Sequence, residues 1–163
     1  MKIALGSDHA GFELKDSLKR LLAAQGIGVD DRGTYSPESV DYPDFARAVG
    51  ETVVHGKADF GILVCGTGIG MSMSANKVPG VRAARVDTEF EAEMARAHNN
   101  ANVLCLGARV TDAATAEKLV RKFLETGFEG GRHQRRVDKI MAIERQENSL
   151  ASDSRHLRLK IDD

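Results

Sequence analysis

Tryptophan is missing from this 163-residue chain, proline occurs three times, and there are only two cysteines, Cys65 and Cys105. Two cysteines, each at the end or centre of an apolar run, cannot build the disulfide framework of a small secreted domain or a paired zinc spacing. A reducing compartment is the simpler reading. No window approaches the roughly 18 apolar residues of a membrane span, and MKIALGSDHA turns polar too early for a secretory signal. These absences predict a cytoplasmic protein that is not a membrane protein. An excess of one charge is also lacking: 23 Lys and Arg stand against 24 Asp and Glu, so no global field attracts nucleic acid or an anionic membrane. Any anion site must be local. Internal repeats and low-complexity blocks are absent as well. What remains, 42% hydrophobic and 29% charged residues, fits one globular domain with an ordinary core.

Short apolar runs alternate with segments of helical period. KIAL at 2–5, IGVDD at 27–31, FGILVC at 60–65, VRAARV at 81–86 and NVLCLG at 102–107 read as five strands. Between them, Leu14, Leu18, Leu21 and Leu22 fall on one helical face, as do Phe45, Val49, Thr52 and Val53, and later Ala116, Leu119, Val120, Phe123 and Leu124. Strands alternating with helices of this length predict a five-stranded parallel sheet covered on both faces, a doubly wound, Rossmann-like α/β domain of three layers. Ligands bind such sheets outside the carboxyl ends of the strands. That rule selects Ser7-Asp8-His9 after the first strand, Cys65 to Gly70 after the third and Arg109 after the fifth. A last helix is expected from Arg132 to about Gln146, with Val137, Ile140, Met141 and Glu144 on one face. Beyond it, Leu157, Leu159 and Ile161 alternate with Arg158, Lys160 and Asp162, which predicts a frayed end or a short edge strand.

CGTGIG at 65–70 has neither the G-x-G-x-x-G spacing of a dinucleotide loop nor the lysine of a P-loop. Its glycines instead let backbone N–H groups of Gly66, Thr67, Gly68, Ile69 and Gly70 approach a ligand at the start of a helix expected near Ile69. Several donors aimed at one point cradle an oxyanion, and one such donor is typically worth about 3–4 kcal/mol to a transition state. Cys65 sits beside them. An ordinary thiol is only a few per cent thiolate at neutral pH, and a helix N-terminus or nearby cations raise that fraction. The alternative is a small buried hydrophobe; it suits Cys105, flanked by leucines in mid-strand, better than Cys65 at a strand's carboxyl end.

Other candidates carry two readings each. Asp8 is either a ligand-binding carboxylate or the N-cap of the helix beginning near Ala10. Arg132 and Arg136, four apart at the start of the last helix, either clamp a phosphate or form a solvated charged face. His98 ends the helix before the fifth strand, which places it by the amino edge of the sheet, away from Cys65. It is either an exposed helix-end histidine or a group that acts in a neighbour's site.

Taken together, GSDHAGFELK at 6–15, GTYSPESVDYPDFA at 33–46, CGTGIGMSMSANK at 65–77, AHNNANVLCLGAR at 97–109 and EGGRHQRRV at 129–137 resemble the successive motifs of the type B ribose-5-phosphate isomerases, whose wider family includes galactose-6-phosphate isomerase subunits. The resemblance covers nearly all of residues 1–148, read as one isomerase domain, and is silent on the tail 149–163. It implies an α/β/α sandwich and a homodimer, or a tetramer built from it, with sites at the subunit interface. It also implies aldose–ketose isomerisation in the non-oxidative pentose phosphate pathway without metal or other cofactor. By the same resemblance Cys65 transfers the proton between carbon-2 and carbon-1, and His98 opens the furanose ring across the dimer. Asp8, His9, Asn99 and Arg109 hold the substrate, Arg132 and Arg136 take its phosphate, and the loop Gly66 to Gly70 faces the enediolate. Tyr42 and Thr67 lie in matching motifs. A related branch uses a carboxylate from the glycine loop as base; here that stretch is Met71-Ser72-Met73, which strengthens Cys65.

The expected partner is therefore a phosphorylated sugar, ribose 5-phosphate or ribulose 5-phosphate. Allose or galactose 6-phosphate is the alternative within the enzyme class. Outside it stand a non-catalytic sugar-phosphate-binding module and a redox switch at Cys65.

Overall fold

The five apolar runs form the five strands of one parallel sheet. A computed structural model describes residues 1–159, with side chains through residue 145. In chain order the elements are β1 (Lys2–Ser7), a 3-10 turn (His9–Gly11), α1 (Phe12–Ala24), β2 (Gly28–Asp31), α2 (Tyr42–Val54), β3 (Phe60–Cys65), α3 (Ile69–Ala75), β4 (Ala83–Arg85), α4 (Glu89–Ala97), β5 (Val103–Gly107), α5 (Ala113–Glu125) and α6 (Arg132–Leu159). The sheet order is β2-β1-β3-β5-β4, with every neighbouring pair parallel. The chain winds outward from β1 to β2, then crosses back past β1 to begin β3. This reversal opens a crevice between the carboxyl ends of β1 and β3, where open α/β sheets bind ligands.

Period-2 alternation sends the strand side chains into two separate cores. On one face Ile3, Leu5, Ile62, Val64, Leu104 and Leu106 meet Leu14, Leu18 and Leu22 of α1, Ala92 and Ala95 of α4, and Leu119, Val120 and Phe123 of α5. On the other, Ala4, Leu63, Cys65, Val103 and Cys105 meet Ala46, Val49 and Val53 of α2 with Met71 and Ala75 of α3. The helical stripes read from the sequence face these cores, with Leu21, Phe45 and Leu124 half-buried at their margins. The alternation also fixes a functional detail: the Cys65 side chain faces α2 and α3, not α1.

One buried charge needs an account. Lys15 of α1 is fully buried, yet its ammonium donates to Asp31 Oδ1 at 2.8 Å and to the Thr34 carbonyl at 2.7 Å. Lys19 reaches the second Asp31 oxygen at 2.7 Å. Burial pushes the Asp31 carboxyl up, but the bonds from Lys15 and Lys19 and the Gly33 amide outweigh it and hold the group below its ordinary range. A carboxyl whose folded value is depressed adds stability above its unfolded value and loses it as pH falls through the folded one. Urea unfolding of wild type and Asp31→Asn should therefore differ most at neutral pH. The difference should shrink as acid passes below the usual carboxylate range; an unchanging difference would rule this network out as a source of acid sensitivity.

The C-terminal helix departs from the sequence expectation. α6 does not end near Gln146 but continues to Leu159, so Leu157 and Leu159 lie on a helix and not on an edge strand; Ile161 falls outside the described residues. From Arg132 onward the chain has no glycine or proline to stop a helix. Its expected apolar face is only partly covered: Val137 is buried and Glu144 accepts from the Gly80 amide at 3.0 and 3.1 Å, while Ile140 is exposed.

Candidate active site

At the carboxyl edge, β3 ends on Cys65 and the chain turns through Gly66-Thr67-Gly68 into α3. Gly68 has φ +77°, the left-handed region that disfavours a side chain. The turn brings the Gly68 amide back onto the Cys65 sulfur, N to Sγ 3.1 Å. Close packing on β5 is possible because Gly107 is also bare; a Cβ there would lie 2.7 Å from the Thr67 carbonyl carbon. The amides of Gly66, Thr67 and Gly70 meet no acceptor among the described residues, and the Ile69 amide has only the distant Thr67 Oγ1 at 3.5 Å. Cys65 is 5% exposed. The loop thus presents a nearly buried thiol beside unengaged backbone donors, an arrangement suited to a thiolate and a developing oxyanion.

Side chains from other segments border this loop. The Arg109 side chain lies along Gly66, with its Cδ 3.3 Å from where a Cβ would stand, and the Arg109 amide donates to the Gly66 carbonyl at 2.9 Å. The Tyr42 ring from α2 covers Gly70. Asp8 follows β1, whose Ser7 pairs with Val64, so it stands next to Cys65 across the crevice. Its Oδ1 accepts from the Gly11 amide at 3.0 Å, which makes it the N-cap of the 3-10 turn, and Oδ2 has no bond among the described residues. His9 Nδ1 accepts from the Val40 amide at 3.3 Å, so a neutral ring carries its proton on Nε2. Cys105 sits behind in the same core, where burial first and Cys65 second push its thiol far above the ordinary value, and it stays unreactive.

His98 and Asn99 lie at the opposite edge. Asn102, just beyond them, accepts from Gly61 and donates to Arg82, the residues at the amino ends of β3 and β4. The His98 ring stacks on His133, with centroids 4.0 Å apart and planes within 7°. The Glu129 carboxylate approaches both, 3.7 Å from His98 Nε2 and 3.5 Å from His133 Nε2, and the Glu129 amide donates to the Ala97 carbonyl at 3.1 Å. Arg132 Nε donates to His133 Nε2 at 3.3 Å, so the first arginine of α6 joins this group, with Arg136 exposed one turn on. Burial, then the neighbouring His98 and Arg132, lower the proton affinity of His133. Ligand atoms of His98, Glu129 and His133 lie within 4.8 Å of one another, close enough to suggest a metal. Two stacked rings, however, send their lone pairs side by side instead of toward one point, and a tetrahedral centre needs convergence.

The sequence candidates therefore separate into two sets. Cys65, the loop Gly66 to Gly70, Asp8, His9 and Arg109 share the carboxyl edge; His98, Asn99, Arg132 and Arg136 share the amino edge. Six residues of parallel strand at about 3.3 Å each put the edges on the order of 15–20 Å apart. One chain does not unite them. Sequence reading passed over His133, Glu129 and Arg85. His133 stands inside EGGRHQRRV next to a chosen arginine, the one signal that pointed to it. A groove of about 790 Å³ lies elsewhere, along β4 between α4 and α6, and includes Asn99 but not Cys65.

Known proteins share this fold over most of the chain. A family described as Ribose/Galactose Isomerase matches residues 3–140. The ribose-5-phosphate isomerase B of Escherichia coli is 46% identical over 147 residues, 90% of this chain and 99% of that protein. The solved structure of the Clostridium thermocellum ribose-5-phosphate isomerase B superposes with a TM-score of 0.90 at 49% identity, covering 90% of this chain and 99% of that one. That of Mycoplasma genitalium, solved with bound ribulose-5-phosphate, gives 0.84 at 47% identity over 88% and 96%. With the family's extent matched from β1 into α6 and the five-stranded fold reproduced, this chain belongs to the ribose/galactose isomerase family.

Proposed function

We propose that the protein interconverts ribose 5-phosphate and ribulose 5-phosphate through an enediolate, in sites that two copies of the chain complete together. The observation that carries this reading is the Cys65 sulfur, held at 3.1 Å by the Gly68 amide at the sheet's switch point beside unengaged amides. Support comes from relatives: the Escherichia coli protein is a ribose-5-phosphate isomerase B, and the Mycoplasma genitalium structure contains ribulose-5-phosphate.

In this scheme the open-chain aldose lies with carbon-2 against Cys65. The thiolate takes the carbon-2 proton and the electron pair moves into the enediolate; the hydroxyl proton passes from O2 to O1, and the thiol delivers the abstracted proton to carbon-1, leaving the carbon-2 carbonyl of the ketose. Negative charge building on the substrate oxygens meets the Gly66, Thr67 and Gly70 amides. Before that step the furanose must open. His98 of a second copy donates to the ring oxygen as the anomeric hydroxyl gives its proton to water, and Arg132 and Arg136 of that copy hold the phosphate, whose binding energy fixes the reacting carbons. Asp8, His9, Asn99 and Arg109 position the hydroxyls and phosphate. Among the described residues no helix is long and apolar enough to cross a membrane. The isomerase domain is residues 1–148, with 149–163 an appendage to it.

Purified protein mixed with ribose 5-phosphate should form ketose at neutral pH. A panel with allose and galactose 6-phosphates should give lower kcat/KM for each hexose. Equal or higher values would reassign the substrate, and binding with neither ketose formation nor any loss of the carbon-2 proton would reduce the chain to a binding module.

A further inference from the structure

Arg85 is the last residue of β4, on the far side of β5 from Cys65, and no part of the scheme above uses it. Its side chain reaches across the carboxyl end of β5 to the glycine loop. The guanidinium Nε donates to the Thr67 carbonyl at 2.8 Å. The Arg85 Cγ packs 3.0 Å from where a Gly68 Cβ would stand. The carbonyl it binds belongs to the same peptide unit whose N–H, that of Gly68, donates to the Cys65 sulfur at 3.1 Å. In a trans peptide the C=O and N–H point in opposite directions. A cation on one end and a thiol on the other are therefore joined in line through one polarisable group.

We propose that Arg85 is a positioning residue for Cys65, acting through the Thr67–Gly68 peptide to hold its N–H on the sulfur and to strengthen that donor toward the thiolate. Two effects combine. The bond from a cation to the carbonyl withdraws electron density from the peptide and makes its N–H a better donor, as in any chain of hydrogen bonds. The same bond fixes the peptide plane, which a left-handed Gly68 would otherwise leave free to rotate. Only this end of the peptide is open to such a contact, because the other faces Cys65.

The Arg85 guanidinium is itself braced. Its Nη2 donates to Asp87 Oδ1 at 2.8 Å, and a second guanidinium nitrogen pairs with the other carboxylate oxygen. Glu91 of α4 in turn accepts from the Asp87 and Thr88 amides at 2.8 and 3.0 Å, closing the capping box that starts α4. The charged and titratable groups around the loop are thus Arg85 and Asp87 from β4 and its following turn, Arg109 after β5, Asp8 and His9 after β1, Tyr42 of α2 over Gly70, and Cys105 of β5 in the core behind Cys65. Of these, Arg85 is the one bonded to the peptide that touches sulfur.

This inference rests on Cys65 acting as a thiolate, as proposed above, but its test needs no substrate. Alkylation of Cys65 by iodoacetamide, followed across pH by mass spectrometry of the modified peptide, reads thiolate directly, and buried Cys105 serves as the internal control. Arg85→Gln should slow alkylation at pH 7 by about threefold to tenfold and move the midpoint of its pH profile up by roughly half to one unit. Arg85→Lys, which can still donate to the Thr67 carbonyl, should recover part of the loss. An unmoved profile in folded Arg85→Gln would overturn the proposal, as would equal shifts in the Gln and Lys variants. Should Arg85→Gln not fold, the Lys variant and Asp87→Asn decide instead: neither moving the profile counts against it. Absent isomerase activity with a shifted profile would refute the function and leave this inference standing.

Discussion

Cys65→Ala is expected to lower kcat for ribose 5-phosphate by about 10²–10⁴-fold, the usual contribution of a positioned proton-transfer group, with KM changed far less. The side chain makes one hydrogen bond, from the Gly68 amide, and otherwise packs among Ala4, Met71 and Ala75 on the α2 and α3 side. Alanine fits that space without disturbing the loop backbone, so substrate should still bind while the proton has no carrier. Cys105→Ala, in the same core but fully buried in mid-strand, should leave kcat unchanged. Near-wild-type turnover in the Cys65 variant would eliminate the thiolate mechanism even in an active isomerase.

Mixing Cys65→Ala with His98→Ala protein should restore activity that neither has alone. The two residues sit at opposite edges of the sheet, so a site containing both must draw them from different copies. In an equal mixture with random exchange, half the dimers are mixed, and each mixed dimer has one intact site and one doubly damaged one. Recovery should therefore approach about a quarter of the wild-type rate. Verified subunit exchange without recovery would mean that the site is not shared. The same test distinguishes two roles for the stacked His98 and His133 pair: His133→Ala should complement with Cys65→Ala if the pair acts as a unit across the interface, and be independently active if His133 only packs.

How much of this was legible before folding follows from the range of the interactions involved. The helical stripes of α1, α2 and α5 and the five strands depend on local period, and they form where expected, with Leu21, Phe45 and Leu124 half-buried at the margins of their stripes and the edge strands β2 and β4 without a fully buried residue. Cys65 was legible because a strand's carboxyl end followed by glycines is itself a local pattern. Asp8 was readable in both its senses, and the structure adds the capping bond to Gly11, with the other oxygen unbonded among the described residues. The length of α6 was misjudged because alternating Leu157, Leu159 and Ile161 imitates strand period, whereas an unbroken run without glycine or proline lets a helix continue. The exposure of Ile140 was equally hidden, since an apolar helix face does not say whether its cover belongs to the same chain.

By itself the sequence determined the parallel α/β class, the two faces of the sheet, the thiol at a strand end and, through five motifs in order, the family. These rest on periodicity and on residues adjacent in the chain. The βαβ pattern also placed His98 at the edge away from Cys65; only the tertiary structure decided that His133 and Glu129 gather on His98 and that Arg85 meets the peptide that holds Cys65. The first depends on where the chain from α5 into α6 returns against the end of α4, and the second on strand order: β5 inserts between β3 and β4, and across it the end of β4 comes within one arginine's reach of the glycine loop. A sequence lists its strands in the order they are made, and contacts between side chains follow the order in which the strands pair.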